Sequence, residues 1–518
     1  MPRAARLASA FVLATSALIA CPLAAQTEFA VPLGRGQLRV DFVPVWSSWS
    51  QRWQPGTTGT VPLASDYTTD SLGVATLPFL TTWQDTLRTA TAIPGFSLNL
   101  GHPLVALNAS VRTMPIAIEY GLASRLSVGL TVPIVRSRMD VGFQIDTAAA
   151  RRSNVGLNPG IADTSRVNGF RLQMDSVLAA LQTEAASGPA ALRAEAQAQI
   201  AALKPFLAAS FSPFLPRGGT AAAESIAARI SAADSTYARL AAQYDSLGIP
   251  MPAINKPFAM PDTTALQTAD LVAYFLDPSL GVGSDSFATI VRTRLGDVTA
   301  HATYQLAEGR RYRGQIVVTV RFPTGVPASA NDIFDVGTGT HEYGLEGALA
   351  NDFLLSSAFL VHAVARAGAS ASDQIPMRVT PPTLPIAPLT SVAEIKRQPA
   401  PYLALDLDPT WMLDDAFSVR LAYGFFTQGA TKHSYVNAGD ELRVGLPASV
   451  LDEDTAMRWM RLGAEVTFVT TNRYAAGQAS LPYSISVGYD HTFWGAGGRV
   501  PKLSDFHLSL RAYFRLFR

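Results

Sequence analysis

Segments of about ten residues in which apolar and polar side chains alternate recur along the 518-residue chain. Residues 315–322 read Gln-Ile-Val-Val-Thr-Val-Arg-Phe, and comparable segments lie at 417–425, 461–468 and 482–493. Successive side chains of a β-strand point to opposite faces, so each segment predicts a strand with one apolar and one polar face. The chain is therefore expected to be all-β in its main part.

About twelve such strands are predicted, an even number, as closed bacterial barrels require. They lie at 37–48, 112–120, 124–136, 296–306, 314–323, 341–351, 356–367, 400–412, 416–427, 458–470, 480–494 and 505–517. A soluble β-sandwich would also alternate, but its loops would show no regular rhythm of lengths.

The lengths of the connections favour a transmembrane barrel over a sandwich. Connections after even-numbered strands are short, although the one around 472–480 is somewhat longer. Those after odd-numbered strands include 54–110, 137–295, 324–340, 368–399 and 428–457. Outer-membrane barrels alternate short periplasmic turns with long external loops in this way. The fold class predicted is an antiparallel transmembrane β-barrel with a large helical insertion in an external loop.

The two ends of the chain carry signals for export and assembly. Residues 1–25 combine two arginines, an apolar run and a small-residue cleavage site, which predicts a secretory signal peptide. A lipobox-like reading would instead make Cys21, the sole cysteine, a lipidated N-terminus. The last strand alternates up to Phe517, an ending that resembles the signal read by the barrel assembly machinery, although Arg518 follows it. Barrel strands are assigned to 26–136 and 296–518.

The stretch 137–295 has a helical period instead. Apolar residues at spacings of three and four run from Ile226 to Leu247. Shorter seams lie at 170–186 and 192–207, the latter bounded by Pro205. Two or three such helices would form a small bundle. This insertion could be an external cap, a plug or gate of the lumen, or a partner-binding module.

Charged and polar side chains on the face opposite the apolar one are candidates for lining the lumen, because lipid already takes the apolar face. Asp406 and Asp408, two apart on one strand face, could share a proton or bind Ca²⁺, or could simply face inward arginines. The full candidate set is Arg39, Asp41, Glu119, Asp297, His301, Arg321, Glu346, Arg366, Asp406, Asp408, Arg420, Arg461, Glu465, Asp490 and Arg511.

Few patterns point to catalysis. His507 and Ser509 form a His-x-Ser pair of the type that outer-membrane lipid hydrolases use on the lipid-facing wall. Here the alternation places both on the lumen face, which argues against that chemistry. The sequence contains no phosphate-binding loop and no metal-ligand spacing, so neither cofactor nor metal is predicted. The net charge of +1 gives no reason to expect nucleic acid.

Four short motifs carry a family resemblance: residues 119–122, 295–298, 321–325 and 337–340. They resemble the outer-membrane proteins associated with the meta-pathway of phenol degradation. The resemblance implies a barrel through which hydrophobic or aromatic compounds cross the outer membrane. The insertion departs from that family's compact pattern, and no substrate-binding residue is carried over.

The function predicted is a channel or transporter of the outer membrane for small solutes, among them hydrophobic or aromatic ones. Its expected partners are membrane lipid, the solute and the barrel assembly machinery. Two alternatives remain open: an outer-membrane enzyme acting on lipids, and a structural or adhesive surface protein that acts through the insertion.

Overall fold

The computed structural model describes residues 33–57, 59–254, 263–382, 384–497 and 500–515. The signal peptide with Cys21, and Phe517, lie outside these residues and remain predictions. The chain divides into two compact units. The first contains residues up to 67, 105–142 and 283–518, and the second contains 68–104 and 143–282.

Most of the strands belong to the first unit. In chain order the described strands are β1 (Gln37–Phe42), β2 (Val45–Trp49), β3 (Gln51–Trp53), β4 (Thr60–Pro62), β5 (Pro103–Ala123), β6 (Leu126–Ile145), β7 (Val155–Leu157), β8 (Phe214–Pro216), β9 (Ile290–Leu295), β10 (Thr299–Glu308), β11 (Tyr312–Arg321), β12 (Gly344–Leu354), β13 (Phe359–Ser370), β14 (Asp373–Arg378), β15 (Val392–Gln398), β16 (Tyr402–Met412), β17 (Phe417–Gln428), β18 (Lys432–Tyr435), β19 (Met457–Val469), β20 (Tyr483–Ala496) and β21 (Ser504–Arg515).

Fourteen of these strands form one antiparallel sheet that closes on itself. Strands β1 and β2 pair with β5 on one side and with β21 on the other, which joins the first strand to the last. They share one register, because Phe42 pairs with Leu510 and Val45 pairs with His507. Strands β9 and β10 likewise continue each other along β6. Within the described residues the barrel therefore has twelve strands, as predicted.

The wall has a bulge between β9 and β10. Leu295 pairs with Ile134 whereas Thr299 pairs with Thr131, so four steps on one strand match three on the other. The extra residue lies opposite Pro133, whose carbonyl accepts a hydrogen bond from the Gly296 amide (2.8 Å). A bulge of this kind bends the strand and re-aims neighbouring side chains.

The connections keep the predicted rhythm with one exception. Strands β5 and β6 are joined by two residues and β10 and β11 by three, whereas the connections 322–343 and 429–456 are long. At the far end, 470–482 on the short-turn side exceeds 497–503 on the loop side. The predicted strands 112–120 and 124–136 imply a turn at 121–123. This position is wrong, since β5 continues to Ala123 and β6 begins at Leu126.

Beyond the barrel, the long connections of the first unit build structure of their own. Strands β14, β15 and β18 form a three-stranded sheet. Its apolar cluster contains Val379, Ala393, Ile395, Ala448 and Leu451. The Arg378 side chain is almost fully buried and donates to the carbonyls of Ala330 (2.7 Å), Ala387 (2.6 Å) and Gly283 (3.2 Å). Burial lowers the pKa of Arg378 to about 10, so it stays charged at neutral pH and ties three connections together.

Helices dominate the second unit. The described helices of the chain are α1 (Thr81–Thr91), α2 (Pro159–Ala162), α3 (Ser165–Ser187), α4 (Arg193–Ser210), α5 (Ala221–Ser246), α6 (Thr268–Leu276), α7 (Asp440–Val444) and α8 (Thr471–Ala475). Of these, α1 to α6 belong to the second unit. None of the helices in the described part of the chain is long and apolar enough to span a membrane.

The helical insertion predicted from the sequence is present, with two local corrections. Pro205 lies inside α4, which runs on to Ser210, so it is not a boundary. The apolar seam of α5 ends at Tyr244, because Leu247 follows the helix and is exposed. In addition, α1 comes from the first long connection yet packs with the insertion. Ser225 and Arg229 of α5 donate to the carbonyls of Thr91 (2.6 Å) and Thr89 (2.8 Å) at its end.

Candidate functional site

The two faces of the barrel wall differ in chemistry. On β16, Leu405 and Leu407 are 43% and 47% exposed, whereas Asp406 and Asp408, which alternate with them, are 5% and 1% exposed. A soluble protein would show the reverse order. A membrane-spanning sheet must pair all its backbone groups and present apolar side chains to the lipid. The closed sheet with its apolar outer face meets both requirements. The barrel is thus of the outer-membrane type.

The inner face carries a belt of ion pairs, which we call the charged layer. Its first half centres on Asp406, which accepts from the guanidinium groups of Arg366 (2.7 Å) and Arg461 (3.3 Å). Arg420 lies 2.7 Å from Glu465 and 3.6 Å from Asp408. These side chains come from β13, β16, β17 and β19, and each points inward because the period of two puts it there.

The layer continues onto β20 and β21 through a histidine. His507 Nε2 lies 2.8 Å from Glu465, and its Nδ1 lies 3.3 Å from Asp490. Each ring nitrogen of His507 therefore contacts a carboxylate, so His507 links β19 and β20 within the charged layer. Ser509 shares its inward face, because Phe506 and Leu510 on the alternate positions are exposed to the outside. The pair therefore does not face lipid, which a lipid hydrolase of the kind considered above would require.

The second half of the layer spans the join between the first and last strands. Arg39 contacts Asp41 (3.0 Å) and Glu119 (2.6 Å), and Arg511 contacts Asp41 (3.1 Å). Glu119 also accepts from Ser127, and His301 lies 3.8 Å from it. Opposite charges alternate across neighbouring strands, so each buried ion has a partner, which is what makes its burial tolerable.

The structure brings most of the candidate residues together. Those in the ion pairs of the charged layer are Arg39, Asp41, Glu119, His301, Arg366, Asp406, Asp408, Arg420, Arg461, Glu465, Asp490 and Arg511. Glu346 joins by accepting from the Tyr402 hydroxyl. Arg321 lies at the loop end of β11, against Gly344.

Two members of the layer were not singled out from the sequence. His362 Nδ1 lies 2.5 Å from Asp352, and both are largely buried. His362 shares its strand face with Arg366, and Asp352 shares its face with Glu346. The same alternation would have identified them. Within the described residues, no group of three or more His, Cys, Asp or Glu side chains could hold a metal ion.

Next to the charged layer, on the loop side, lies a hydrophobic cluster that we call the aromatic cluster. It contains the rings of Trp53, Phe426 and Trp459 together with Ala404, Met457 and Val500, and Tyr402 packs against it. The Phe426 ring stacks on Trp459 (centroids 5.2 Å apart, 10° between planes) and on Tyr402 (5.5 Å, 28°). Arg461 of the charged layer reaches 5.4 Å from the Trp459 ring. On β19 the inward side chains thus change from aromatic at Trp459 to charged at Arg461, the next inward position.

Asp297, by contrast, belongs to a junction of loops rather than to the charged layer. Its carboxylate accepts from the amides of Gly325 (2.9 Å) and Thr340 (2.7 Å) and from the Thr340 hydroxyl (2.9 Å). Thr324 bridges the same place, accepting from the Val298 amide and donating to the Gly296 carbonyl. We call this the Asp297 junction.

The Asp297 junction unites three of the four family-like motifs: residues 295–298, 321–325 and 337–340. A Cβ on Gly339 would come 2.6 Å from the Gly325 Cα, so both positions require glycine for close backbone approach. Gly337 adopts a positive φ of 64°. The residues of these three motifs therefore pack the bulge between β9 and β10 against the loop 322–343.

No protein-family model matches the chain, and no curated protein matches its sequence. Membership of the phenol meta-pathway family therefore stays a prediction. Among solved structures, the chain is similar to an outer-membrane channel from Pseudomonas putida F1, with 9% identity, a TM-score of 0.43, and coverage of 94% of this chain and 98% of that one. The toluene transporter TbuX of Ralstonia pickettii gives 6% identity, a TM-score of 0.28 and coverages of 94% and 90%. A FadL homologue of Pseudomonas aeruginosa gives 9% identity, a TM-score of 0.26, and coverage of 93% of this chain and 90% of that one.

Proposed function

We propose that this chain is an outer-membrane channel for small solutes and that it takes solutes with an aromatic or apolar part. The observation that carries the proposal is the aromatic cluster on the inward face of the barrel, directly against the charged layer. Phe426 and Trp459 are each 8% exposed, so an apolar solute would reach these inward-facing rings when neighbouring side chains move, at a place where lipid does not compete for them.

The charged layer would set which solutes pass. A barrel of twelve strands has a narrow lumen once inward side chains fill it. In this chain those side chains are ion-paired and mostly buried, with Glu465 and Asp406 only 4% and 5% exposed. Passage would then require local rearrangement of ion pairs, which favours small solutes and disfavours a wide, unselective pore.

Uptake by proteoliposomes tests the proposal. The purified full-length protein is reconstituted, and the entry of phenol is compared with that of a sugar of similar size. We expect faster entry of phenol than through protein-free vesicles and little acceleration for the sugar. Equal acceleration of both, or of neither, would contradict the proposal.

Two variants locate the selective element. Phe426→Leu with Trp459→Leu keeps the cluster apolar but removes its stacked rings, and should weaken the preference for phenol about two- to ten-fold, given the usual value of aromatic pairs. Phe493→Leu is the matched control, because Phe493 faces outward and is 41% exposed. An equal effect of the control would show that the inner rings are not the selective element.

A further inference from the structure

On the outer face of the hairpin formed by β5 and β6, the side chains change from apolar to charged at the same height on both strands. From the turn, the first five outward side chains on each strand are apolar, and the sixth is an arginine. On β5 these six residues are Leu122, Tyr120, Ile118, Ile116, Met114 and Arg112, and on β6 they are Leu126, Val128, Leu130, Val132, Ile134 and Arg136.

The height of these arginines coincides with a membrane boundary. Each lies ten positions beyond the first apolar residue of its row. With a rise of about 3.4 Å per residue and a tilt of about 40°, ten residues climb ~26 Å, close to the ~25 Å of an outer-membrane apolar band. Because the short turn is periplasmic, Arg112 and Arg136 lie where the headgroups of the outer leaflet begin.

Both guanidinium groups are exposed and uncompensated. In the portion of the chain that the structure covers, neither Arg112 nor Arg136 has a carboxylate partner. Arg138, one outward position further, is instead neutralised by Asp140 (2.6 Å). Arg112 is also paired across the sheet with Trp46, whose ring is exposed at the same height. An interfacial tryptophan beside an arginine is typical of a headgroup region.

We propose that Arg112 and Arg136 together bind the phosphate of a phosphorylated lipid in the outer leaflet, with its acyl chains along the apolar rows below. Two guanidinium groups on neighbouring strands can each donate a bidentate pair of hydrogen bonds to phosphate oxygens. The surface therefore fits an anionic lipid with a phosphate at the headgroup boundary, rather than a zwitterionic lipid whose own ammonium group would be repelled.

Binding of lipid A to the purified full-length protein in detergent tests this. The probes are diphosphoryl lipid A and the same lipid with both phosphates removed, followed by native mass spectrometry or by titration. The double variant Arg112→Gln and Arg136→Gln should bind the diphosphoryl lipid about ten-fold or more weakly, the usual size of a charge-assisted contact. It should bind the dephosphorylated lipid as the unchanged protein does.

Arg458→Gln is the matched control. Arg458 is exposed at the loop end of β19, ten positions from Phe468 on the same outward row, and it stands without a second arginine beside it. Its loss should change affinity less than about two-fold. Unchanged affinity of the double variant, or an equal loss in Arg458→Gln, would overturn the proposal. If the double variant fails to fold, the single variant Arg136→Gln provides the same comparison.

Discussion

An arginine scan along the outward row of β11 measures how the barrel sits in the membrane. The row runs from Tyr312 at the short turn through Ile316, Val318 and Val320 to Phe322. At about 2.6 Å of height per residue, these apolar positions lie ~10, ~16, ~21 and ~26 Å above Tyr312. The midplane of a ~25 Å band then falls between Ile316 and Val318.

The expected cost follows this depth. Arginine at Ile316 or Val318 should lower the free energy of unfolding by about 2–4 kcal/mol, and at Phe322 by only about 0–1 kcal/mol. The matched control is Thr319→Arg, because Thr319 faces inward and pairs across the sheet with Glu346. Its cost should be much smaller than that of Val318→Arg, since the new guanidinium gains a carboxylate neighbour instead of entering lipid.

Urea titration of the protein refolded into vesicles, followed by tryptophan fluorescence, gives these free energies. Equal costs for Val318→Arg and Thr319→Arg would refute the assignment of the two faces. A cost independent of position along the row would refute the depth calculation, and with it the height given to Arg112 and Arg136.

Three further predictions follow from particular elements. Replacing Phe517 by a charged residue should lower the amount of folded, heat-modifiable protein in the outer membrane, and unchanged levels would remove its role as an assembly signal. Burial and the nearby Asp335 raise the pKa of Asp332 to about 6. The folded state therefore binds this proton more tightly than the unfolded state, so the stability of the loop 322–343 should fall as the pH rises from about 4 to about 6. Amide exchange across 329–337 measures this, and Asp332→Asn should abolish the dependence. Replacing both 70–100 and 146–286 with short Gly/Ser linkers should leave a heat-modifiable barrel, because the strands pair through their own ladders. Removing 146–286 alone should give a less stable protein, because it exposes the apolar face of α1, where Leu87 and Ala90 are fully buried.

The barrel could be predicted from the sequence because the alternation of side chains depends only on the backbone of each strand. A period of two is set by each strand's backbone, and the outward rows on β11, β16 and β17 lie where alternation puts them. Strand ends were less predictable. β5 and β6 extend to Pro103 and Ile145, far beyond the predicted 112–136, because the apolar band ends at Arg112 and Arg136 while the hydrogen-bonded ladder continues.

Features built from distant segments could not be read from the sequence. The threonines of α1 have low helix propensity, and α1 is held by α5, more than 130 residues away. Asp297 alternates like a lumen residue, yet the bulge opposite Pro133 turns it into the loop junction. The choice of ion-pair partners in the charged layer depends on register between strands, which alternation does not specify.

The pairing of β1 with β21 has a consequence for how the chain must fold. Asp41 and Arg511 are 470 residues apart, yet their side chains are in contact at 3.1 Å. Contacts of such sequence separation form late, since the whole intervening chain must first be ordered. Until the last strand is in place, β1 and β20 are both open edges with unpaired backbone groups, and such edges recruit strands from other chains. A chain truncated before residue 504 would keep both edges unpaired and should therefore be prone to aggregation.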